Sequence, residues 1–330
     1  MSEANSMLYY PYDLDSVSQL ALFIDSKCKG CSRMEVLTTI FLAKGYPGYS
    51  RSNERTLKKQ NEWYLLMATS FLETAIHDVS TYPKTMIHQS MANVVKSSFP
   101  LDELARRLDS LMFPLDMALK AWVKLNNLDV AWDRARLMAG MLDIETDSKV
   151  TDPLCVHGLT LAACAEMSPD AKYQAWPDID SCSEASTALI LSGINELDVW
   201  DLSILDKTKF YRSTDRLIAD TLEWADFLDI LMLFLKGVKK GSICVFALDK
   251  KYVTGPEYEE WRSEIIKKHD VESVVKWKGC YLVKIRSRTK TGARTSFQDL
   301  SRRKFDGAYA EVNKRPRKGQ RLLNNGDWIR

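Results

Sequence analysis

Long apolar segments are absent from this sequence of 330 residues. A helix that spans a bilayer needs about 18 or more apolar residues in succession. The most apolar run, residues 227–238, is shorter and contains Asp229 and Lys236. The N-terminus also lacks the basic and then apolar pattern of a secretion signal. We therefore expect a soluble, cytoplasmic protein that has no membrane partner.

Cysteine pairs that would form a disulfide framework or a metal site are also scarce. The count of seven is odd and the spacing is irregular, which is typical of reduced thiols. Cys28 and Cys31 have the spacing of half a zinc knuckle, and Cys155 with His157 is the nearest further pair of ligands. Because no second Cys-x-x-Cys occurs, we expect two thiols at a helix–helix turn and no metal.

Two catalytic motifs are missing as well. The sequence contains neither a Gly-x-Ser-x-Gly elbow nor a P-loop. Acyl transfer and NTP hydrolysis therefore have no support from the sequence.

Charge is distributed unevenly, although the net charge of the whole chain is only +2. Residues 276–330 contain 16 Lys and Arg against 4 Asp and Glu, which is a net charge of +12. The remaining residues contain 30 Lys and Arg against 40 Asp and Glu, a net charge of −10. This asymmetry favours an anionic partner, above all DNA or RNA. A basic segment can also dock on an acidic protein surface.

The N-terminal half shows only helical periodicity. Ser32 and Glu35 have the spacing of a capping box, which predicts a helix that starts near Met34. Apolar residues then recur at helical spacing as far as residue 142. We expect an all-helical domain over residues 1–150, which contacts a protein partner or a second copy of the chain.

One part of this half also matches a DNA-reading motif. Residues 104–122 have the spacing of a helix-turn-helix, in which the second helix enters the major groove. Lys120 and Lys124 would be its base-contacting side chains. Two amphipathic helices of an ordinary bundle produce the same pattern.

Periodicity changes repeatedly in the second half, which indicates a mixed α/β domain over residues 151–288. Residues 153–195 are predicted to be helical. The pattern of residues 196–288 then predicts the order β-α-β-α-β-β, with the elements at Leu197–Leu205, Thr214–Lys240, Ser242–Leu248, Pro256–His269, Val271–Trp277 and Tyr281–Arg288. Residues 289–330 are expected to be a basic, partly disordered tail. The predicted fold class is therefore mixed α+β and α/β, with an all-α N-terminal domain before the α/β domain.

Residues 196–288 resemble the C-terminal half of the class I (Rossmann-like) methyltransferases, and most of all the DNA adenine methyltransferases. The likeness rests on two segments that each read as a helix followed by a strand, residues 231–246 and residues 260–275. It implies S-adenosylmethionine as cofactor, a glycine-rich loop that holds it, and an Asn/Asp-Pro-Pro-aromatic tetrapeptide that grips the target amino group.

The sequence departs from this family at both motifs. No Gly-x-Gly occurs in the chain, and the position expected for the tetrapeptide reads Leu205-Asp206-Lys207-Thr208-Lys209-Phe210. The segment between Pro153 and Leu197 is expected to be too short for the three β-α units of a cofactor-binding half.

We therefore predict a non-enzymatic, nucleic-acid-associated protein on a degenerate methyltransferase-like scaffold, without a cofactor or catalytic residues. Its basic tail would neutralise backbone phosphates, and its aromatic side chains would stack on bases. The candidate contacts are Arg302, Arg303, Lys304, Phe305, Lys314, Arg315, Arg317 and Lys318, with Tyr309 and Trp328 as further stacking residues.

Three alternatives remain open. The first is an S-adenosylmethionine-dependent nucleic-acid methyltransferase. The second is a structural or assembly subunit whose basic tail docks on an acidic protein. The third is a nuclease-like Mg²⁺ site, for which acids on adjacent strands would be needed; its candidates are Asp198, Asp201, Asp206 and Asp249-Lys250-Lys251.

Overall fold

The computed structural model describes residues 14–45, 60–74, 81–110, 118–178, 180–194, 197–200, 202, 214–224, 227–289, 295–312 and 321–323. The chain forms two compact units. The first consists of residues 1–130 and 186–191, and the second of residues 131–185 and 192–330. None of the described helices is long and apolar enough to cross a membrane.

The described part of residues 1–130 is helical, as the sequence predicts. Its helices are α1 (Leu14–Lys27), α2 (Arg33–Gly45), α3 (Gln60–Thr74), α4 (Thr81–Lys96), α5 (Leu101–Ser110) and α6 (Ala118–Leu125). The capping box is confirmed at the start of α2. Glu35 N donates to Ser32 Oγ at 3.1 Å, and Ser32 N donates to the Glu35 carboxylate at 2.7 Å. Two N–H groups at the start of the helix are thereby satisfied.

The helix-turn-helix alternative finds no support in the described residues, because α6 has little exposed surface. Six of the eight residues of α6 are buried. Lys124 is engaged with the carboxylate of Asp129, at 3.2 Å. A recognition helix exposes one face to a DNA groove, whereas in α6 only Lys120 and Lys124 are not buried. The turn itself lies outside the described residues.

The second unit is built on a sheet that has nine strands in the described residues. The strands are β1 (Lys149–Asp152), β2 (Lys172–Ala175), β3 (Leu197–Val199), β4 (Arg216–Asp220), β5 (Ile243–Asp249), β6 (Asp270–Trp277), β7 (Cys280–Arg286), β8 (Thr295–Asp299) and β9 (Arg321–Leu323). The remaining helices are α7 (Asp129–Gly140), α8 (Leu159–Met167), α9 (Cys182–Leu191), α10 (Leu228–Gly237), α11 (Lys250–Thr254), α12 (Glu259–Lys268) and α13 (Phe305–Val312).

The spatial order of the strands is β3-β2-β1-β4-β5-β7-β6-β8-β9. The first five of these are parallel, and β7 is antiparallel to both of its neighbours. Strands β1, β2 and β3 follow one another from the centre of the sheet towards one edge. The chain then returns to the centre at β4, and β5 and the later strands lie towards the other edge. A topological switch point therefore lies between β1 and β4.

The predicted hairpin between β6 and β7 is confirmed. Lys278 and Gly279 both have positive φ, of 40° and 86°, and Trp277 pairs with Cys280. Two successive residues of positive φ are what a tight two-residue hairpin turn requires. The predicted buried strand β5 is also confirmed, because six of its seven residues are buried.

Residues 214–240 are not one helix, contrary to the sequence prediction. Residues 216–220 form β4, in which Leu217, Ile218 and Ala219 are buried, and α10 begins only at Leu228. Strand β4 lies between β1 and β5. A central parallel strand is apolar on both faces and shows no alternation, so periodicity cannot separate it from a neighbouring helix.

The prediction that residues 153–195 are helical and too few for a cofactor-binding half is also wrong. Strands β1 and β2 have only four residues each, and β3 has three. The connections from β1 to β2 and from β2 to β3 are 19 and 21 residues long. Each has room for one crossover helix, which is α8 or α9. The start of β1 at Lys149 falls in a range where the sequence indicated no strand.

Part of the predicted basic tail is incorporated into the fold. Strand β8 pairs in parallel with β6, and β9 pairs in antiparallel with β8. Helix α13 lies between them in sequence. The guanidinium of Arg136 lies over the rings of Phe305 and Tyr309, at 4.9 and 5.6 Å from their centroids. These contacts fix α13 to the second unit.

Candidate functional site

A pocket opens beside the carboxyl ends of β1 and β4. In open α/β sheets, ligands bind in the crevice at such a switch point. Its walls come from α7, the loop between β1 and α8 (residues 153–158), the first turn of α8 and the loop after β4. We refer to it as the central pocket.

Asp152 ends β1 at the base of the central pocket. Its carboxylate accepts hydrogen bonds from Leu154 N, at 2.9 Å, and from the hydroxyl of Thr160. Burial raises the pKa of Asp152 to about 7, an effect that the two hydrogen bonds oppose and the charge of Asp220 reinforces. The carboxyl therefore ties the loop after β1 to the start of α8.

Asp220 ends β4 and faces the same pocket. Its Oδ2 accepts a hydrogen bond of 2.6 Å from Nε of Arg134, which projects from α7 and is itself buried. Burial raises the pKa of Asp220, and the charge of Arg134 opposes the increase. The pair places a fixed positive and a fixed negative group on one wall of the pocket.

The loop between β1 and α8 contains one glycine, Gly158, which packs against α9. Its φ is 69°, and a Cβ at this position would lie 2.5 Å from the carbonyl oxygen of Ala185. Only glycine combines this conformation with so close an approach. The same approach brings His157, the preceding residue, against Glu184, and its Nδ1 is hydrogen-bonded to Glu184 Oε1.

A second pocket lies at the carboxyl ends of β4 and β5 and beside the turn of the β6–β7 hairpin. We refer to it as the hairpin pocket. Trp224 and Tyr252 contribute aromatic surface, and Lys251 and Lys278 contribute positive charge. Nζ of Lys278 lies 3.6 Å from the Asp133 carboxylate.

The two pockets share one loop, residues 220–224. Asp220 and Glu223 line the central pocket, whereas Thr221, Leu222 and Trp224 line the hairpin pocket. The indole N–H of Trp224 donates to the carbonyl oxygen of Leu154 at 3.0 Å. This bond connects the loop after β4 to the loop after β1.

The structure also corrects the position of the family tetrapeptide. In the strand order of this sheet, the strand at the corresponding position is β4, which Asp220-Thr221-Leu222-Glu223-Trp224 follow, whereas residues 205–210 lie outside the described residues. Compared with the Asn/Asp-Pro-Pro-aromatic pattern, Asp220 matches the acid by residue type. Both prolines are absent, and the aromatic residue, Trp224, stands one position late.

Pattern reading missed these residues for two reasons. Asp220 lies inside what the pattern predicts as a helix, and Asp152 ends a strand of four residues that leaves no periodic signal. The usable signal is a short apolar run that ends in an acid, which occurs at residues 217–220. Gly158 gives no Gly-x-Gly signal because it is the single glycine of its loop.

The described candidate nucleic-acid contacts fall into two groups. Arg302, Arg303 and Lys304 are exposed in the turn before α13, and none of them forms an ion pair with a described residue. Phe305 is partly buried and lies against Arg136. The other candidates, Lys314, Arg315, Arg317, Lys318 and Trp328, lie outside the described residues. Contact with nucleic acid stays a prediction for all of them.

Several positive charges of residues 276–330 are matched by acids of the same unit. Lys276 pairs with Asp299, Lys278 with Asp133, Lys284 with Asp143 and Glu272, and Arg286 with Glu272. Part of the net charge of +12 is therefore balanced within the fold.

The zinc and nuclease alternatives find no support in the described residues. No group of three or more His, Cys, Asp or Glu side chains there is placed to hold a metal ion. Cys155 is buried, and burial raises its pKa well above the usual value, which opposes the thiolate that zinc requires.

The acids proposed for the nuclease site are also far apart. Strands β3 and β5, which carry Asp198 and Asp249, are separated by three strands, or roughly 19 Å across the sheet. Asp249 instead accepts a hydrogen bond from Lys251 N at the start of α11. Asp201 and Asp206 lie outside the described residues.

No protein-family model matches the chain, and no curated protein is similar to it in sequence. Solved structures do show a likeness of fold. A protein from Listeria monocytogenes assigned to the class I S-adenosylmethionine-dependent methyltransferases superposes with a TM-score of 0.52 at 11% identity, over 92% of this chain and 99% of that protein. The resemblance inferred from residues 196–288 is thus confirmed, and it extends over most of the chain. The fold is that of the class I, Rossmann-like methyltransferases.

Two further structures match less well. The M protein of the type I restriction enzyme EcoKI has a TM-score of 0.42 at 10% identity, with 87% of this chain and 71% of that chain covered. The DrdV–DNA complex has a TM-score of 0.48 at 11% identity, with 96% of this chain and 44% of that chain covered.

Proposed function

We propose that this protein binds S-adenosylmethionine in the central pocket and transfers its methyl group to a nucleic acid. The observation that carries the proposal is the position of that pocket, at the switch point of a sheet of the class I methyltransferase type. This is the first of the alternatives that the sequence leaves open, and the complete β1-α8-β2-α9-β3 half favours it over the non-enzymatic hypothesis.

The side chains of the central pocket suit the amino-acid end of this cofactor, which carries an ammonium, a carboxylate and a sulfonium. Asp220 and Glu223 provide negative charge. The N-cap of α8 is Gly158, which has no side chain that could accept from the first turn, so the N–H groups there can donate to an anion. Leu154 and Val156 provide apolar surface.

Each element of the site has a role in this proposal. When bound, the cofactor supplies an electrophilic methyl group. The shared loop holds the acceptor on its hairpin-pocket side, so that the acceptor atom faces the central pocket. Trp224 is fixed by its bond to Leu154, and with Tyr252 it offers aromatic surface to a planar base. Lys251 is exposed at the edge of the same pocket and can neutralise a phosphate.

The experiment is calorimetric titration of the protein with S-adenosylmethionine, followed by transfer of a labelled methyl group to DNA and to RNA. We expect the Glu223→Gln substitution to weaken binding about tenfold, because a hydrogen bond to a charged group is lost. Glu260→Gln, an exposed change on α12 outside both pockets, is the matched control. Absence of heat at millimolar cofactor would overturn the proposal.

One observation favours a second candidate, a nucleic-acid-associated protein without catalysis. The loop after β1 has Val156 and His157 where a glycine-rich loop would allow close approach of a ligand, and the Arg134–Asp220 pair occupies one wall of the pocket. Salt-sensitive gel shifts with DNA or RNA, combined with no binding of S-adenosylmethionine, would support this candidate against the enzyme.

A further inference from the structure

His157 occupies a position in the central pocket that the fold constrains from two sides. It lies between β1 and α8, and Gly158 holds this loop against the backbone of α9 at Ala185. Glu184 precedes Ala185 on α9. The two adjacent contacts, Gly158 with Ala185 and His157 with Glu184, therefore fix the imidazole at the pocket wall.

The hydrogen bond to Glu184 decides which ring nitrogen is left for a ligand. Nδ1 is engaged with Glu184, so Nε2 is the atom that can meet a group in the pocket. In the protonated ring both nitrogens donate. An imidazolium held by a carboxylate on one side is thus a donor for an anionic oxygen on the other.

The charged groups around His157 favour its protonated form. Burial lowers its pKa, but the hydrogen bond and charge of Glu184, with the charges of Glu223 and Asp220, outweigh that effect and raise the pKa above its ordinary value. Asp152 on β1 adds a further acid to the pocket wall. On α7, Arg134 is the one cation that lines the pocket among the described residues, and it is committed to Asp220.

Among the described residues of the central pocket, His157 is consequently the cation available to an anionic ligand group. If the carboxylate of a ligand lay in the pocket away from His157, it would be repelled by Asp220 and Glu223. S-adenosylmethionine has one carboxylate, at the end of its amino-acid portion, and that group has to find a donor.

We propose that His157, oriented by Glu184, binds the carboxylate of the cofactor and makes its affinity depend on pH. This inference rests on the proposed function and adds to it a named ligand contact and a form of regulation. Binding is tight while the imidazole is protonated, and it weakens as the pH rises and the ring loses its charge.

The test uses two probes that differ in the amino-acid portion. S-adenosylhomocysteine carries the carboxylate, whereas methylthioadenosine lacks the whole amino-acid portion. Affinities of the full-length protein for both are measured by calorimetry between about pH 6 and pH 8.5, the range in which histidine titrates. We expect the affinity for S-adenosylhomocysteine to fall about tenfold across this range, and that for methylthioadenosine to stay constant.

Substitutions of His157 and Glu184 test whether this pair causes the pH dependence of the affinity. His157→Gln should bind S-adenosylhomocysteine about tenfold more weakly at pH 6 and show little pH dependence, since glutamine carries no charge. Glu184→Gln should move the midpoint of the pH dependence to lower pH, because the charge that favours the imidazolium is lost. Asp170→Asn, an exposed acid outside both pockets, is the matched control and should behave as the wild type. Thermal unfolding verifies that each variant is folded.

The outcomes separate this inference from the function on which it rests. If S-adenosylhomocysteine binds with the same affinity at every pH, or if His157→Gln binds like the wild type, the role of His157 is refuted while the cofactor site stands. If neither probe binds at any pH, the proposed function fails and the inference fails with it.

Discussion

At the scale of single residues, one glycine determines how the loop of the central pocket packs. Gly158 has a φ of 69°, and its Cα faces the carbonyl oxygen of Ala185 at a distance that leaves no room for a Cβ. Gly193 has nearly the same conformation, with a φ of 73°, but has no heavy atom within 4 Å of where a Cβ would be. Alanine substitutions at the two positions therefore distinguish the cost of backbone strain from the cost of steric conflict.

We expect Gly158→Ala to destabilise the protein by about 2–4 kcal/mol, the sum of a left-handed conformation and an overpacked contact. Gly193→Ala should cost only about 1 kcal/mol, because it carries the strain alone. Urea unfolding followed by circular dichroism measures both. Equal losses in the two variants would contradict the role given to the contact with Ala185.

At the scale of elements, the basic and the aromatic residues at helix α13 have different environments, although the sequence predicts that both contact nucleic acid. Arg302, Arg303 and Lys304 are exposed before the helix, whereas Phe305 and Tyr309 lie under the guanidinium of Arg136. Arg136 is also paired with Glu166 at 3.3 Å. The aromatic residues therefore anchor the helix, and the basic residues remain available to phosphate.

Replacing Arg302, Arg303 and Lys304 together by alanine should weaken binding to DNA and reduce the slope of log affinity against log salt by up to about 3, since each phosphate contact contributes about 0.9. Phe305→Ala should leave that slope unchanged and instead increase proteolytic cleavage near α13. Alanine at the exposed Lys29, Lys240 and Lys267 serves as the matched control. An unchanged slope in the first variant would exclude these residues as contacts.

Some of the strands could be predicted from the sequence, and others could not. Strand β5 and the β6–β7 hairpin were predictable, since β5 is an apolar run of strand length and Lys278-Gly279 is a turn signal between two such runs. Strand β4 was not, because its residues Leu217 to Ala219 continue into an apolar helix without a break in pattern. Strands β1 and β2 are too short to show a period, and tertiary pairing defines them.

The candidate site was hidden for the same reason. Its residues come from the ends of β1 and β4, from α7 and from the start of α8, and only the strand order brings them together. Neither spacing nor composition relates His157 to Glu184 or Arg134 to Asp220, which are 27 and 86 residues apart in sequence.

At the scale of the whole molecule, two buried titratable groups of the second unit affect stability in opposite directions. The pKa of His269 is lowered from 6.5 to about 4, mainly by burial and by the charge of Arg288. The pKa of Asp152 is raised from 3.8 to about 7, mainly by burial. When the pKa of a group differs by one between the folded and the unfolded chain, the free energy of unfolding changes by up to about 1.4 kcal/mol.

The signs follow from where the protons are bound. Between pH 4 and 6.5 the unfolded chain protonates His269 and the folded chain does not, so this group adds stability as the pH rises. Between pH 3.8 and 7 the folded chain protonates Asp152 and the unfolded chain does not, so this group removes stability as the pH rises. The two contributions therefore have opposite signs between about pH 4 and 6.5.

Single substitutions should therefore change the slope of stability against pH in opposite directions. In Asp152→Asn, the free energy of unfolding should rise more steeply with pH between about 4 and 6.5 than in the wild type, because the opposing contribution of Asp152 is removed. In His269→Asn, it should fall more steeply with pH over the same range than in the wild type, because the opposing contribution of His269 is removed. Urea unfolding at several pH values measures both. Parallel pH profiles for the two variants would contradict the assignment.

The alternation of side chains along residues 220–224 has a consequence for engineering. Thr221 and Leu222 face the hairpin pocket, and the acids Asp220 and Glu223 face the central pocket. Randomising Leu222 would reshape the hairpin pocket while the charges of the central pocket stay in place. Thr221 is buried and donates its hydroxyl to the carbonyl oxygen of Ala247 at 2.6 Å, so its substitution would also disturb the sheet. Trp224 is a further exception. Its hydrogen bond to Leu154 connects the loop after β4 to the loop after β1, so a substitution of Trp224 would alter both pockets.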